Sequence, residues 1–439
     1  MQSPVSLDNA PPLAASLRFF LTAPLFLVLA GLLLLVSGSE IFASRWAPVT
    51  LALVHLLTIG FMLQVMIGAL IQVLPVIIGV HLRRPLPLAR FVHGALNAGA
   101  LALAAGFLTA SSALLRLAAI LLALGVGGFL LAAGPAIFAQ ASTSPTIRGL
   151  KLSLPGLAGV AGLGVTLALG LARGWALPYP RLADLHAGWG FAAWAGVLLA
   201  AMAYVVVPMF QLTPGYPARL SWWLPPLLLT LVLLWSLGVA LDWPLPVRLA
   251  QGALAVSGLA FAGLTLRLQS QRRRARVDAT SRYWQAGLLA ALGALSLFAV
   301  ATAWPAAAEY PAWTPLFAIL LLAGAFIPLI AGMLYKIVPF LTWMHLQQRM
   351  QPGLPLPNMN RLLPDQAMQR QMRVYLAALT LLVGAAWWPQ WLARPAGIML
   401  AVAGGWLWWN LLGAAWRYRQ QATLMAAHKE TGATGASGG

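Results

Sequence analysis

Six histidines and no cysteine define the donor chemistry open to this chain of 439 residues. Without thiols there are no disulfides, no thiolate metal sites and no covalent c-type haem attachment, so a haem would be held non-covalently and a metal by His, Met or oxygen ligands. His55 in "LVHLLTIGF" lies inside an apolar stretch, and His186 in "LHAGWGFAAW" lies at the outer end of another, where it is either a ligand or simply solvated at the interface. A buried neutral imidazole offers a lone pair to iron or copper and needs a partner for its other nitrogen. Asp184, two residues before His186, is a candidate for that orienting partner. His93 has Asn97 one helical turn away and reads as an interhelical hydrogen-bonding residue or a lesser ligand candidate. His81 and His345 each fall six residues after a proline in a repeated pattern described below and read as interface residues or a second, inner site; His428 is in the tail. All eight carboxylates (Asp8, Glu40, Asp184, Asp242, Asp278, Glu309, Asp365 and Glu430) fall in termini, in loops or at the ends of apolar stretches. That placement argues against a carrier or pump with a buried acidic relay. Lys336, a cation inside an apolar stretch, is close enough to its end to extend to the interface.

The elements that must position these residues are transmembrane helices. The chain is 61% hydrophobic and 8% charged with mean hydropathy +0.83, which places it among polytopic all-α membrane proteins. Twelve spans are expected, at roughly 17–37, 50–79, 91–110, 117–140, 153–172, 184–211, 222–241, 245–267, 283–303, 314–344, 374–393 and 396–416. Residues 1–16 read as a cytoplasmic arm, 17–416 as one membrane domain and 417–439 as a disordered cytoplasmic tail. No cleavable signal is evident, so the first span should be retained. With both termini inside, all but six of the 27 Lys and Arg fall on the cytoplasmic side, the exceptions being Arg45, Arg116, Arg173, Arg181, Arg248 and Arg394. A bacterial-type inner membrane is the expected location. The net charge of +19 and the run "QRRRAR" at 271–276 then read as topology anchors and contacts to anionic lipid head groups, with no nucleic-acid role.

One pattern recurs. Gly68 lies seven residues before Pro75 and Gly332 seven before Pro339, with Gly60 and Gly324 eight residues further back; Ala201 and Ala193 hold the same places before Pro208. Small residues at these sites permit close helix approach. Their even interval predicts a pseudo-threefold arrangement of four-helix units in which spans 2, 6 and 10 are equivalent.

Twelve spans in three arcs, with His55 early in span 2 and His186 at the start of span 6, resemble subunit I of the haem-copper oxidases. The resemblance implies a haem ligand at His55 and a metal ligand at His186. The His-Pro-Glu motif of that family is missing, since Ala187 and Gly188 follow His186, and spans 7 and 10 carry none of its ligand histidines. A terminal oxidase is therefore excluded. His55 followed by the pair Gly60-Phe61 is similar to NnrS-like twelve-span proteins, which implies haem, copper or nitric oxide chemistry, although their His-x-His-Glu-Met run is absent. Three expectations follow. The chain is a b-type haem or copper protein of respiratory or nitric oxide chemistry, with respiratory or assembly partner proteins; or a non-redox transporter or channel for a small molecule; or an assembly subunit of oxidase-like fold without a cofactor.

Overall fold

The computed structural model describes residues 11–80, 82–273, 277–350 and 358–436, with the backbone alone at 77 and 428–436. The described residues form twelve helical rods and no strand. They are α1 (Leu13–Ser37), α2 (Pro48–His55, Leu56–Leu63 and Gln64–Ile78 in continuous succession), α3 (Pro85–Leu108), α4 (Ser112–Phe138), α5 (Pro145–Arg173) and α6 (Tyr179–Gly188, Trp189–Gly196 and Val197–Gln211). The series continues with α7 (Ala218–Ala240), α8 (Pro244–Ser270), α9 (Ala279–Ala303), α10 (Trp313–Ile319, Leu320–Phe326 and Ile327–Gln347), α11 (Asp365–Ala385) and α12 (Pro389–Ala436). Eleven of these, all but α11, are long and apolar enough to cross a bilayer, and the chain is a multi-pass membrane protein.

The sequence sets many of the ends. Ser111, Ser144 and Asp278 accept hydrogen bonds from backbone N–H groups of the first turns of α4, α5 and α9. Gly79 and Gly174 close α2 and α5 with φ of 68° and 67°. Two expected boundaries move. The turn between the last two spans lies at 386–388, where exposed Trp387 and Trp388 precede Pro389, rather than near Pro395. Proline at the first position starts α12 without losing a hydrogen bond, whereas Pro395 is carried within the helix. The tail is not disordered from 417. The helix former-rich segment 417–427 continues α12, Arg417 donates to the Leu362 carbonyl (2.7 Å), and Met425 packs with Leu346 and Leu362.

α11 is the least apolar rod and begins Asp365, Gln366, with Arg370 and Arg373 following. Its buried polar groups are paired. Gln371 accepts from the hydroxyls of Tyr283 and Tyr335 and donates to the Ala403 carbonyl, while Asn410 donates to Tyr335. Such bonds replace the water that lipid cannot supply.

The segments Leu56–Leu63, Trp189–Gly196 and Leu320–Phe326 are π-helical, with i→i+5 turns. Each begins 19 residues before its proline (Pro75, Pro208, Pro339). The small residues within and after them face the preceding rod. A Cβ at Gly60 would lie 2.2 Å from Phe26 and one at Gly68 2.7 Å from Phe19, both on α1. On α5, a Cβ at Gly156 would meet the Ala193 carbonyl at 2.2 Å and one at Gly149 the Ala201 side chain at 2.5 Å. Gly324 and Gly332 approach Ala290 and Tyr283 of α9 in the same way, at 2.7 and 2.9 Å. The same close pair is thus built three times, and α1 lies along α12, joining the first rod to the last.

Lys336 finds a partner that the sequence did not name. Its ammonium pairs with Asp278, the residue before α9 at the end of the span, at 2.6 Å, with side chains 24% and 14% exposed. Asp278 also accepts from the N–H and hydroxyl of Ser281 (2.9 and 2.8 Å). Burial pushes its carboxyl up, but Lys336 and Ser281 outweigh that and hold it below the usual carboxylate range. Replacing Asp278 by Asn leaves a half-buried ammonium without its carboxylate and should cost about 1–3 kcal/mol of stability, read as a lower thermal midpoint in detergent. Because the folded carboxyl titrates below the unfolded one, the stabilisation is present above the ordinary value of about 3.9 and lost as pH falls through the depressed one. Wild type and variant should therefore converge in acid. Equal midpoints at neutral pH would show that the pair contributes nothing.

Candidate functional site

A cavity of about 950 Å³ lies where the three π-helical segments meet. Thr58 and Met62 of α2, Gly190, Phe191 and Trp194 of α6, and Leu322 and Ala323 of α10 all line it. Its walls are predominantly apolar, and it reaches the end of the bundle that carries Arg45, Trp46, Asp184, Glu309 and Tyr310, the expected outer face. A volume at the upper end of the roughly 300–1,000 Å³ of small-molecule sites suits a ligand much larger than a bare ion.

Two of the expected site residues meet in this cavity. His55 ends the first α-helical part of α2 and His186 lies three residues before the π-helical segment of α6. Each is seven residues or so into its rod, about 10 Å below the rod's start at 1.5 Å per residue. Their ring centroids are 6.2 Å apart with planes inclined by 22°. His55 Nδ1 lies 2.7 Å from the Leu51 carbonyl, and His186 Nδ1 lies 3.0 Å from the Val160 carbonyl. A carbonyl only accepts, so Nδ1 carries the proton in both rings and each Nε2 keeps its lone pair. Phe107 packs beside His55 at 5.5 Å, and Gly164 leaves room for the other ring, since a Cβ there would lie 2.9 Å from His186 Cε1.

The partner expected for His186 is different. Asp184 is bound instead to Arg45 across the mouth of the cavity, Nη1 to Oδ1 2.7 Å. Two residues apart on a helix point in nearly opposite directions, so Asp184 and the ring of His186 look to different neighbours. The Val160 carbonyl, one span away, could not be identified from the sequence because it belongs to no motif.

Among the described side chains, His93 and His345 stay apart from the cavity lining. His93 Nε2 is 2.9 Å from the Thr22 hydroxyl, with Phe19 edge-on at 5.1 Å. Asn97 donates to the main-chain carbonyl of His93 rather than to its ring. His345 is held by the carbonyls of Leu341 (2.9 Å) and Pro11 (3.3 Å) at the opposite end of the bundle. His81 and the side chain of His428 lie outside the described residues. The third wall of the cavity, from α10, carries Thr314, Ala318, Ile319 and Leu322 and no histidine.

The donor set limits what can be held. Among the described residues, no group of three or more His, Asp or Glu is placed to bind one ion, so a three- or four-ligand zinc-type site is not available. Two imidazoles suit a centre that brings its other ligands with it, as haem does, or a copper ion content with two donors. Two rings on one ion at about 2.0–2.1 Å have centroids no more than about 6.4 Å apart, and the observed 6.2 Å falls just inside that reach. No model of a known protein family matches this chain, and no curated protein matches it in sequence.

Proposed function

We propose that this membrane protein binds a b-type haem between His55 and His186 and serves in respiratory or nitric oxide chemistry in a bacterial-type inner membrane. The observation that carries the reading is the pairing of two histidines, 131 positions apart in the chain, with their centroids at 6.2 Å and both Nδ1 atoms committed to carbonyls. The size and apolar character of the cavity favour the macrocycle over a bare copper ion. When bound, haem supplies one-electron exchange and a site for small diatomic ligands. The chain's own part is to present two oriented lone pairs, to surround the group with apolar side chains and to keep the space open towards the expected outer face. Oxygen reduction is not proposed, because among the described residues the cavity lining holds no histidines beyond His55 and His186 for a copper partner.

The recurrence of the π-helical segments at one register, and of the close α1–α2, α5–α6 and α9–α10 pairs, supports a pseudo-threefold organisation like that of oxidase subunit I. Purified protein supplied with haem and copper should carry close to one haem per chain, with a Soret band that shifts on reduction. A well-folded preparation containing neither haem nor copper would return the histidines to a structural role in a transporter or scaffold. Copper alone would keep the site and change its ligand.

A further inference from the structure

The mouth of the cavity carries charge that the histidine pair does not use. Arg45, from the loop between α1 and α2, is the one Lys or Arg among the described residues lining the cavity. Its guanidinium is fixed on two sides, by Asp184 at 2.7 Å and by the face of Trp46 at 4.6 Å. Both members of the ion pair are half-exposed, at 44% and 47%, where such a pair holds its partners weakly and can exchange them. Asp184 precedes His186 by two residues on α6, about 3 Å nearer the rod's start. The cation therefore sits on the outward side of the histidine pair, at the boundary between apolar walls and solvent. Beyond the Arg45–Asp184 pair, exposed Glu309 is the remaining charged group among the described lining residues and would oppose any anion arriving without Arg45.

This polarity, lone pairs within apolar walls and a planar cation at the rim, fits a ligand with an apolar body and carboxylates along one edge. Arginine is suited to that contact because its donors match a carboxylate in bidentate fashion. We propose that Arg45 is the positioning residue for the ligand's carboxylates and that it leaves Asp184 to bind them. The proposal rests on the haem reading and assigns to Arg45 the choice of a carboxylate-bearing macrocycle over a neutral one.

The test uses the full chain in lipid nanodiscs, titrated with haem and with haem dimethyl ester, which lacks the free carboxylates. Arg45→Gln should weaken haem binding tenfold or more, roughly the value of a lost charge-assisted hydrogen bond, and leave the diester nearly unchanged. Arg45→Lys should fall between, and Arg181→Gln, which removes a different outer ion pair with Asp242, should bind both like wild type. Asp184→Asn should bind haem as tightly as wild type or more so, since Arg45 no longer has a partner to leave. Equal losses of haem and diester in Arg45→Gln would overturn the proposal, as would a loss in Asp184→Asn matching that of Arg45→Gln, which would mean that the ion pair merely holds the mouth together. Binding of neither compound to folded wild type would defeat the haem reading itself. Binding of both without discrimination would defeat only the role of Arg45.

Discussion

Protein with His55 replaced by Ala should retain less than about a tenth of its bound haem, since loss of one coordinate bond costs well above the 1.4 kcal/mol that is tenfold in affinity. The lining residues next to His55 are poor substitutes: Thr58, Ile59 and Phe107 are a hydroxyl already given to the Val54 carbonyl and two hydrocarbon side chains, and the thioethers of Met62 and Met66 lie two turns or more along α2. His186→Ala should lose less and shift the remaining absorbance, as expected if His55 is the leading axial ligand and His186 the second. Added imidazole should restore part of the His55→Ala spectrum, as the cavity is open to one end of the bundle. A residue that only supported the fold would not be replaced by a free ligand. His93→Ala and His345→Ala should keep nearly full occupancy, because their rings are engaged by Thr22 and by the carbonyls of Leu341 and Pro11. Full haem content in His55→Ala would remove the axial assignment.

The second large effect is expected at the seam between α1 and α12, whose Leu34 and Leu400 also reach the cavity wall. A Cβ on Gly397 would lie 2.5 Å from the Leu35 nitrogen and 2.7 Å from the Gly31 carbonyl oxygen. One on Gly31 would lie 2.4 Å from the Ala401 nitrogen. The atoms in the way are backbone, which cannot turn aside as a side chain does, so the rods must separate along their contact. Between membrane helices this close packing is a main source of association. Gly397→Ala should therefore cost about 1–3 kcal/mol, and Gly397→Leu should prevent a monodisperse preparation. Gly405→Ala is the matched control on the same helix, since its Cβ would only touch Val28 at 3.9 Å; it should stay within about 0.5 kcal/mol of wild type. Thermal midpoints and size-exclusion profiles in detergent give the comparison, and equal behaviour of the two alanine variants would show that the seam is not stability-limiting.

Composition and apolar run length were enough to read an all-helical multi-pass protein, and the places of Gly60, Ala193, Gly324 and their prolines marked three rods as related. Both kinds of signal are local: a bilayer demands about 20 apolar residues in succession, and a close helix contact demands a small side chain at a defined place. His55 and His186 stood out for the same reason, as ionisable groups within or at the end of apolar stretches. Nothing local revealed that the π-helical turns begin at one register, nor which neighbours each ring would find. The sequence suggested Asp184 for His186 and named no partner for Lys336; in the folded chain Val160 holds the ring, Arg45 holds Asp184 and Asp278 holds Lys336. These partners are chosen by how α5 packs on α6, how α9 packs on α10 and where the α1–α2 loop meets α6, contacts that no single stretch encodes. The 6.2 Å between two imidazoles is decided in the same way. Each helix fixes the depth of its own histidine at 1.5 Å per residue, but only the assembly of the bundle, which sets α2 and α6 on the wall of one cavity, brings two equal depths together.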